Sequence, residues 1–304
     1  MTDREPDLSV SIAGISFRNP VIAASGIIGS GKEYEGLLDI TELGGICTRG
    51  LTLKAQPGNT GTRLYETPSG LLSSIGLENP GIEAFIEKEL PGLKKLGPVI
   101  IANLSGSTVE EYEQGARLLD NSDADMIELN ISFTNAGAGG MDFALDPETA
   151  GSVTGRVRRA APNKPLMVKL SPDAMDLRAV ARSCVTAGAD ALSLVNPFKA
   201  MAIDVNKGKP AFENVFAGLS GPAIRPIALR MVFELCKTVK VPVVGMGGIA
   251  SASDALEFLL AGAAAVQVGS ATFAHSPLMN EIIAGIGSYM KENGFPETGS
   301  IRIR

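Results

Sequence analysis

Eight short, β-rich and nearly apolar runs recur along the chain with amphipathic helical segments between them, and this alternation constrains the fold more than any other feature. The runs are Pro20–Ser25, Gly44–Thr52, Pro98–Gly106, Met126–Ser132, Pro165–Pro172, Ala191–Pro197, Pro242–Ile249 and Ala265–Phe273. Stretches such as PVIIANL and PVVGMGG have no polar face, which suits parallel strands covered on both sides. Thr108–Asn121, Asp176–Gly188, Ala223–Val239 and Ser251–Gly262 carry the clearest helical periodicity, with Ser251 and Ser253 as caps and Gly188 and Gly262 just past helix ends. Strand and helix in alternation make βαβ units. Eight of them, with no linker or break in composition, predict an α/β fold: a single TIM (β/α)8 barrel over residues 1–304, in preference to a doubly wound open sheet. Ahead of the first strand, Leu8–Phe17 alternates about Ala13-Gly14 and predicts a β-hairpin at the barrel's N-terminal end. Long connections follow the second, fourth and sixth strands (Lys54–Asn79, Phe133–Pro147 and Phe198–Pro222). All three would stand on the C-terminal face, where barrels of this kind do chemistry.

Composition removes several function classes. Of the 304 residues 45 % are hydrophobic, enough for a sizeable core. A net charge of −6 is not the footprint of a nucleic-acid binder. The polar N-terminus lacks a signal-peptide core, and no apolar stretch reaches the ~18 residues of a membrane span. Cys47, Cys184 and Cys236 are dispersed, which argues for a reducing, cytoplasmic setting and against an iron–sulfur cluster held by this chain alone. His275 is the only histidine, so neither a His-based triad nor a His-rich metal site is expected.

Three sets of residues carry the chemistry. The seventh strand ends in GMGGIAS (Gly245–Ser251) and the eighth in GSATF (Gly269–Phe273). Glycines there let backbone N–H groups approach an anion, and turns after strands seven and eight are where such barrels commonly hold phosphate. Alone, such turns are also plain tight turns; both at the right strands point to a phosphate-bearing cofactor. Asn103, Asn130 and Asn196 stand at the ends of strands three, four and six, with Asn135 in the following loop. Asparagine is a poor strand residue, and a set of four on one rim offers donors and acceptors to a flat, amide-rich ring. Lys169 and Arg49, at the ends of strands five and two, put positive charge on the same rim.

These pieces resemble a known family. NPVIAASG, GNTGTRLYETPSGLLSSIGLENPG, PVIIANLSG, IELNIS, PLMVKLSP, GLSGPAIRP, VVGMGGIAS and AVQVGSATF together resemble the catalytic subunit of class 1B dihydroorotate dehydrogenase over nearly the whole chain. The resemblance implies a flavin mononucleotide (FMN) barrel in which Ser25, Arg49, Gly50, Asn103, Asn130, Lys169, Val195, Gly221, Gly247, Gly248, Gly269 and Ser270 line the flavin. Lys169 beside the N1–C2=O edge would stabilise the reduced, anionic ring. It implies a substrate held by Asn130, Asn135 and Asn196 beneath a strand-four loop that acts as a lid. It also implies a homodimer and a partner subunit carrying FAD and an iron–sulfur cluster. The chain itself has no Rossmann fingerprint, since GMGGIA does not fit G-x-G-x-x-G.

The substrate side departs from the family. SCPN becomes SFTN, so Phe133 stands where the family has its cysteine base and Thr134 where it has proline. Losing a general base typically costs about 10²–10⁴ in rate. Arg49 replaces a lysine, Ser73 a substrate-binding asparagine, and Pro197 a threonine beside Asn196; Arg for Lys is not conservative. Five changes around one pocket, beside an intact flavin site, predict an FMN-dependent oxidoreductase with an altered substrate, acting on a C–C/C=C bond of a small flat polar ring or conjugated acid. Two rivals stand beside it: a genuine dihydroorotate dehydrogenase with a non-cysteine base, and a flavin-binding protein that has lost catalysis. Thr134 is a candidate base, Tyr65 and Glu66 weaker ones. Cys47, on the same strand face as Arg49 but deeper, reads as a small buried apolar residue.

Overall fold

The computed structural model describes residues 5–132 and 143–303. Its strands in chain order are β1 Val10–Ile12, β2 Ile15–Phe17, β3 Val21–Ala23, β4 Gly45–Cys47, β5 Leu64–Thr67, β6 Gly70–Ser73, β7 Val99–Leu104, β8 Met126–Asn130, β9 Leu166–Lys169, β10 Ala191–Leu194, β11 Phe198–Met201, β12 Ile203–Asp204, β13 Lys209–Pro210, β14 Phe216–Ser220, β15 Val243–Met246 and β16 Ala265–Val268. Eight of them close a parallel barrel in the order β3-β4-β7-β8-β9-β10-β15-β16, with β16 pairing back onto β3. These are the eight predicted runs, each shorter at its C-terminal end because the last residues leave the ladder to build the rim.

The predicted helices fall at Val109–Asp120, Leu177–Thr186, Arg225–Cys236 and Ala252–Leu260. Side chains cap them where the sequence offers a short polar group: Thr108 Oγ1 accepts from Glu111 N, and Ser251 Oγ from Asp254 N. Ser253 lies inside the last helix and takes no capping role. Among the described residues no helix is long and apolar enough to cross a membrane.

Strand alternation sorts the core into two. Outward residues such as Ile46, Ile100, Leu129, Val168, Leu192 and Val266 pack beneath the helices. Inward residues at the N-terminal end (Ile22, Cys47, Ile101, Met126, Met167, Ala191, Val244 and Ala265) form a separate apolar cluster with Ile12 and Phe17. Those last two come from the β1–β2 hairpin, which plugs the barrel from below. Its turn places Ala13 at φ 51° and Gly14 at φ 83°, the left-handed pair that a two-residue hairpin needs.

The long connections after β4 and β10 are not structureless. They pair with each other in an antiparallel sheet, order β11-β14-β6-β5, so that Leu72 lies opposite Leu219 and Ser73 opposite Gly218. Leu72, Phe212 and Ala217 give this cap a small core of its own. The connection after β8 lies mostly outside the described residues.

Candidate active site

Four inward residues from alternate barrel strands, Cys47 on β4, Glu128 on β8, Ser193 on β10 and Gln267 on β16, occupy one level at the top of the apolar interior, which Cys47 also borders, as barrel geometry dictates. All four are essentially inaccessible to solvent. Glu128 is their centre: it accepts from Cys47 Sγ at 3.1 Å, Ser193 Oγ at 2.8 Å and Gln267 Nε2 at 2.7 Å. From the level above, Asn103 Nδ2 donates to it at 2.6 Å and Lys169 Nζ lies 3.5 Å away. Burial pushes the Glu128 carboxyl up, but Lys169 and the donors outweigh it, so the group stays below its ordinary range and ionised. Burial, then the neighbouring Glu128 charge, push the Cys47 thiol well above its usual value. Cys47 is therefore a neutral donor, in keeping with its reading as a buried residue without a basic role. Lys169 is only 4 % exposed, so it is no ordinary surface lysine.

The rim stands above this floor. Asn130 and Asn196 meet: Asn196 Nδ2 lies 3.2 Å from Asn130 Oδ1 and donates to Ser132 O at 2.7 Å. Asn103, on the neighbouring β7, turns its amide to Glu128 instead, and Asn135, the fourth of the expected set, lies outside the described residues. Tyr112, fully buried, donates to Asn130 O at 2.7 Å, and its ring meets Phe143 edge-on at 5.8 Å. It thus touches both described ends of the connection after β8. Arg49 follows β4; its guanidinium reaches Gly29, where Nη2 would stand 3.0 Å from a methyl group, and among the described residues it forms no ion pair. Ser73 closes β6 in the cap, and Pro197 links Asn196 to β11. Phe133, Thr134 and Asn135 lie outside the described residues. Tyr65 packs edge-on against Phe212 within the cap and Glu66 is exposed beside it.

The glycine turns form a cradle. Gly247 and Gly248 have φ of 121° and 75°. A methyl group on Gly248 would stand 2.7 Å from Gly221 O, and one on Gly247 3.2 Å from Val195 Cγ2. Gly221, Val195 and the β15 turn thus lie together. The β16 turn joins them through Ser270 Oγ, 2.9 Å from Ser220 Oγ. A methyl group on Gly269 would lie 3.8 Å from Ala24 Cβ, next to Ser25. Gly50 sits against Asn103 Oδ1 and Ser105 Oγ. Among the described residues the backbone N–H groups of Gly248, Gly269 and Ser270 have no internal backbone partner, the state expected of a phosphate nest. Arg225 and Glu257 pair beside this turn, and Asp254 joins Arg225 while accepting from Ala250 N at 2.9 Å.

A cleft of about 490 Å³ opens at the opposite, N-terminal end, around Ile15, Lys94, Asp125 and Lys164. Its two lysines are already engaged: Lys94 pairs with Asp125 at 2.7 Å and Lys164 donates to Ser122 O. In this fold that end stabilises and does not catalyse.

Residues 7–290 match the dihydroorotate dehydrogenase family. The chain belongs to that family. It is 52 % identical over 296 residues to the catalytic subunit of dihydroorotate dehydrogenase B (NAD(+)) from Petrotoga mobilis, covering 97 % of this chain and 98 % of that one. It is 49 % identical over 294 residues to the protein of the same name from Geotalea daltonii, with 96 % of each covered. To that from Caldicellulosiruptor saccharolyticus it is 49 % identical over 289 residues, 95 % and 96 %. Membership makes the chain an oxidoreductase of the dihydroorotate dehydrogenase type, FMN-dependent and acting on a CH–CH bond. The cradle, the buried lysine and the three asparagines fit such a cofactor.

Glu128 was the residue that motif reading passed over, although it stands in the IELNIS segment. Its signal was an ionisable side chain in an otherwise apolar strand. Ser193 and Gln267 carried the same weaker signal, as lone polar residues in the sixth and eighth strands.

Proposed function

We propose that the chain holds FMN across the C-terminal face, phosphate on the turns after β15 and β16 and ring edge toward Lys169. There it would oxidise or reduce a CH–CH bond of a small, flat, polar ring of the dihydroorotate kind. The observation that supports this is a cation, Lys169, buried on an anionic support and paired in register with Asn130 of the Asn130–Asn196 pair. FMN, when bound, supplies the two-electron acceptor or donor. Lys169 offers positive charge to an electron-rich ring edge. Asn130 and Asn196, with Asn135, hydrogen-bond the substrate's amides, and Arg49 attracts its carboxylate. Phe133 cannot take a proton, which leaves that step to Thr134 or to water.

The relatives' name supports dihydroorotate as substrate, while Phe133, Arg49, Ser73 and Pro197 favour a related dihydro-compound. Anaerobic stopped-flow mixing of FMN-loaded protein with dihydroorotate separates them. Rapid bleaching of the flavin band identifies dihydroorotate; bleaching only by another cyclic dihydro-compound identifies a changed substrate. No bleaching by any such donor, with FMN tightly bound, overturns the proposal and leaves a flavin-binding protein.

The words "catalytic subunit" and "NAD(+)" in the relatives' names support an electron-transfer partner. With its cysteines free and dispersed, this chain leaves any iron–sulfur cluster and FAD to that second chain. A homodimer belongs to the same proposal, with sedimentation velocity as its test. The free thiols support a cytoplasmic location.

A further inference from the structure

The polar level under the site is an expensive construction. Glu128 is 0 % exposed, and with Lys169 and Asp254 it makes up the buried charged residues among those described. The levels below it are filled with Met, Ile, Val and Ala, so the barrel has an apolar way to fill the same space. An apolar filling of a buried ionic site is often neutral or stabilising. Yet five strands send a donor to this one carboxylate: Cys47 from β4, Asn103 from β7, Lys169 from β9, Ser193 from β10 and Gln267 from β16.

Two consequences reach the rim. The Asn103 amide is committed by its Nδ2, so its Oδ1 is the end presented on the side of Ser105 Oγ and Gly50. The Lys169 ammonium is held on the β9 side of the carboxylate, one strand from Asn130, with which Lys169 pairs in register. We infer that Glu128 is the positioning residue and counter-ion of the site: it orients Lys169 and Asn103 beneath the ring edge and limits how strongly their side of the site favours negative charge there. This rests on the FMN reading above.

A merely structural Glu128 would stitch the strands and leave the ring's electron affinity alone; a counter-ion shifts it with a sign. Removing the carboxylate charge by Glu128→Gln leaves Lys169 unopposed and makes reduction easier. Removing the ammonium by Lys169→Met leaves Glu128 unopposed and makes it harder. The double variant restores neutrality. A unit charge acting over roughly 10 Å at an effective dielectric near ~20 corresponds to at least a tenfold change in equilibrium, or ~30 mV for a two-electron couple.

The experiment is a redox-dye titration of the FMN-loaded wild type and the three variants. Glu128→Gln should raise the potential by about that amount, Lys169→Met should lower it by at least as much, and the double variant should fall within about threefold of wild type. A folded, FMN-loaded Glu128→Gln with the wild-type potential overturns the inference. Gln sets its own amide N–H against donors and can fail to fold; the other two variants then decide, and a double variant as low as Lys169→Met overturns it. Wild-type protein that takes up no FMN defeats the reading beneath, and the inference with it, before any variant is compared.

Discussion

Replacing Gly248 by alanine tests the cradle quantitatively. Gly248 has φ +75°, and an added methyl group would meet Gly221 O at 2.7 Å, Arg225 Cβ at 2.8 Å and Arg225 N at 2.9 Å. Two of these are backbone atoms, so the turn must move. Gly36, at φ +76° with nothing within 4 Å of such a methyl group, pays the backbone cost alone. That cost is about 1–2 kcal/mol for an L-residue in the left-handed region, offset by roughly 0.4–1 kcal/mol from a stiffer unfolded chain. Gly36→Ala should therefore lose about 0.5–1 kcal/mol, ~1–2 °C in melting temperature at roughly 2 °C per kcal/mol for a chain of this size. Gly248→Ala adds an overpacking cost of about 1–3 kcal/mol and should lose ~3–8 °C in the apo form. Displacement of the unpaired Gly248 amide should also weaken FMN at least tenfold, about 1.4 kcal/mol. Differential scanning fluorimetry and fluorescence titration of apo-protein with FMN measure the two effects. If Gly248→Ala melts and binds FMN as Gly36→Ala does, the turn is not a close-packed phosphate cradle.

Tyr112→Phe removes the buried hydroxyl that donates to Asn130 O and should cost about 1–3 kcal/mol, read by denaturant unfolding. The Cys47 thiol is pushed well above its usual value, and burial raises Cys184 and Cys236 to about 11; folded protein at pH 8 should resist iodoacetamide at all three, and fast loss of one thiol would contradict this. Glu128 has a folded-state pKa below its unfolded value of 4.5. Its contribution to stability is thus fully present above 4.5 and is lost as pH falls through the lower folded value. Thermal unfolding followed from pH 6 down to pH 3 should therefore show wild type losing more stability on acidification than Glu128→Gln.

Local pattern was enough for the barrel. Alternation along Met126–Asn130 or Leu166–Lys169 divides each strand into two faces, because side chains change sides at every strand residue; which face points inward came with the fold. The glycine turns after β15 and β16 and the asparagines at strand ends were legible for the same reason: each is a residue type at odds with its local element. The hairpin turn at Ala13-Gly14 was equally local.

Only the closed structure decided which inward residues meet. Glu128 gathers donors from residues 47, 103, 169, 193 and 267, and no spacing rule joins these positions; barrel shear sets them at adjoining levels. Likewise the segments after β4 and β10 read separately as loops, and became a sheet because each supplies the other's strand partner across some 145 residues, as Leu72 and Leu219 do. Motif alone was enough to point to the family. The anionic support that holds Lys169 takes donors from five strands, Gln267 of the last among them, and so is completed only in the closed barrel.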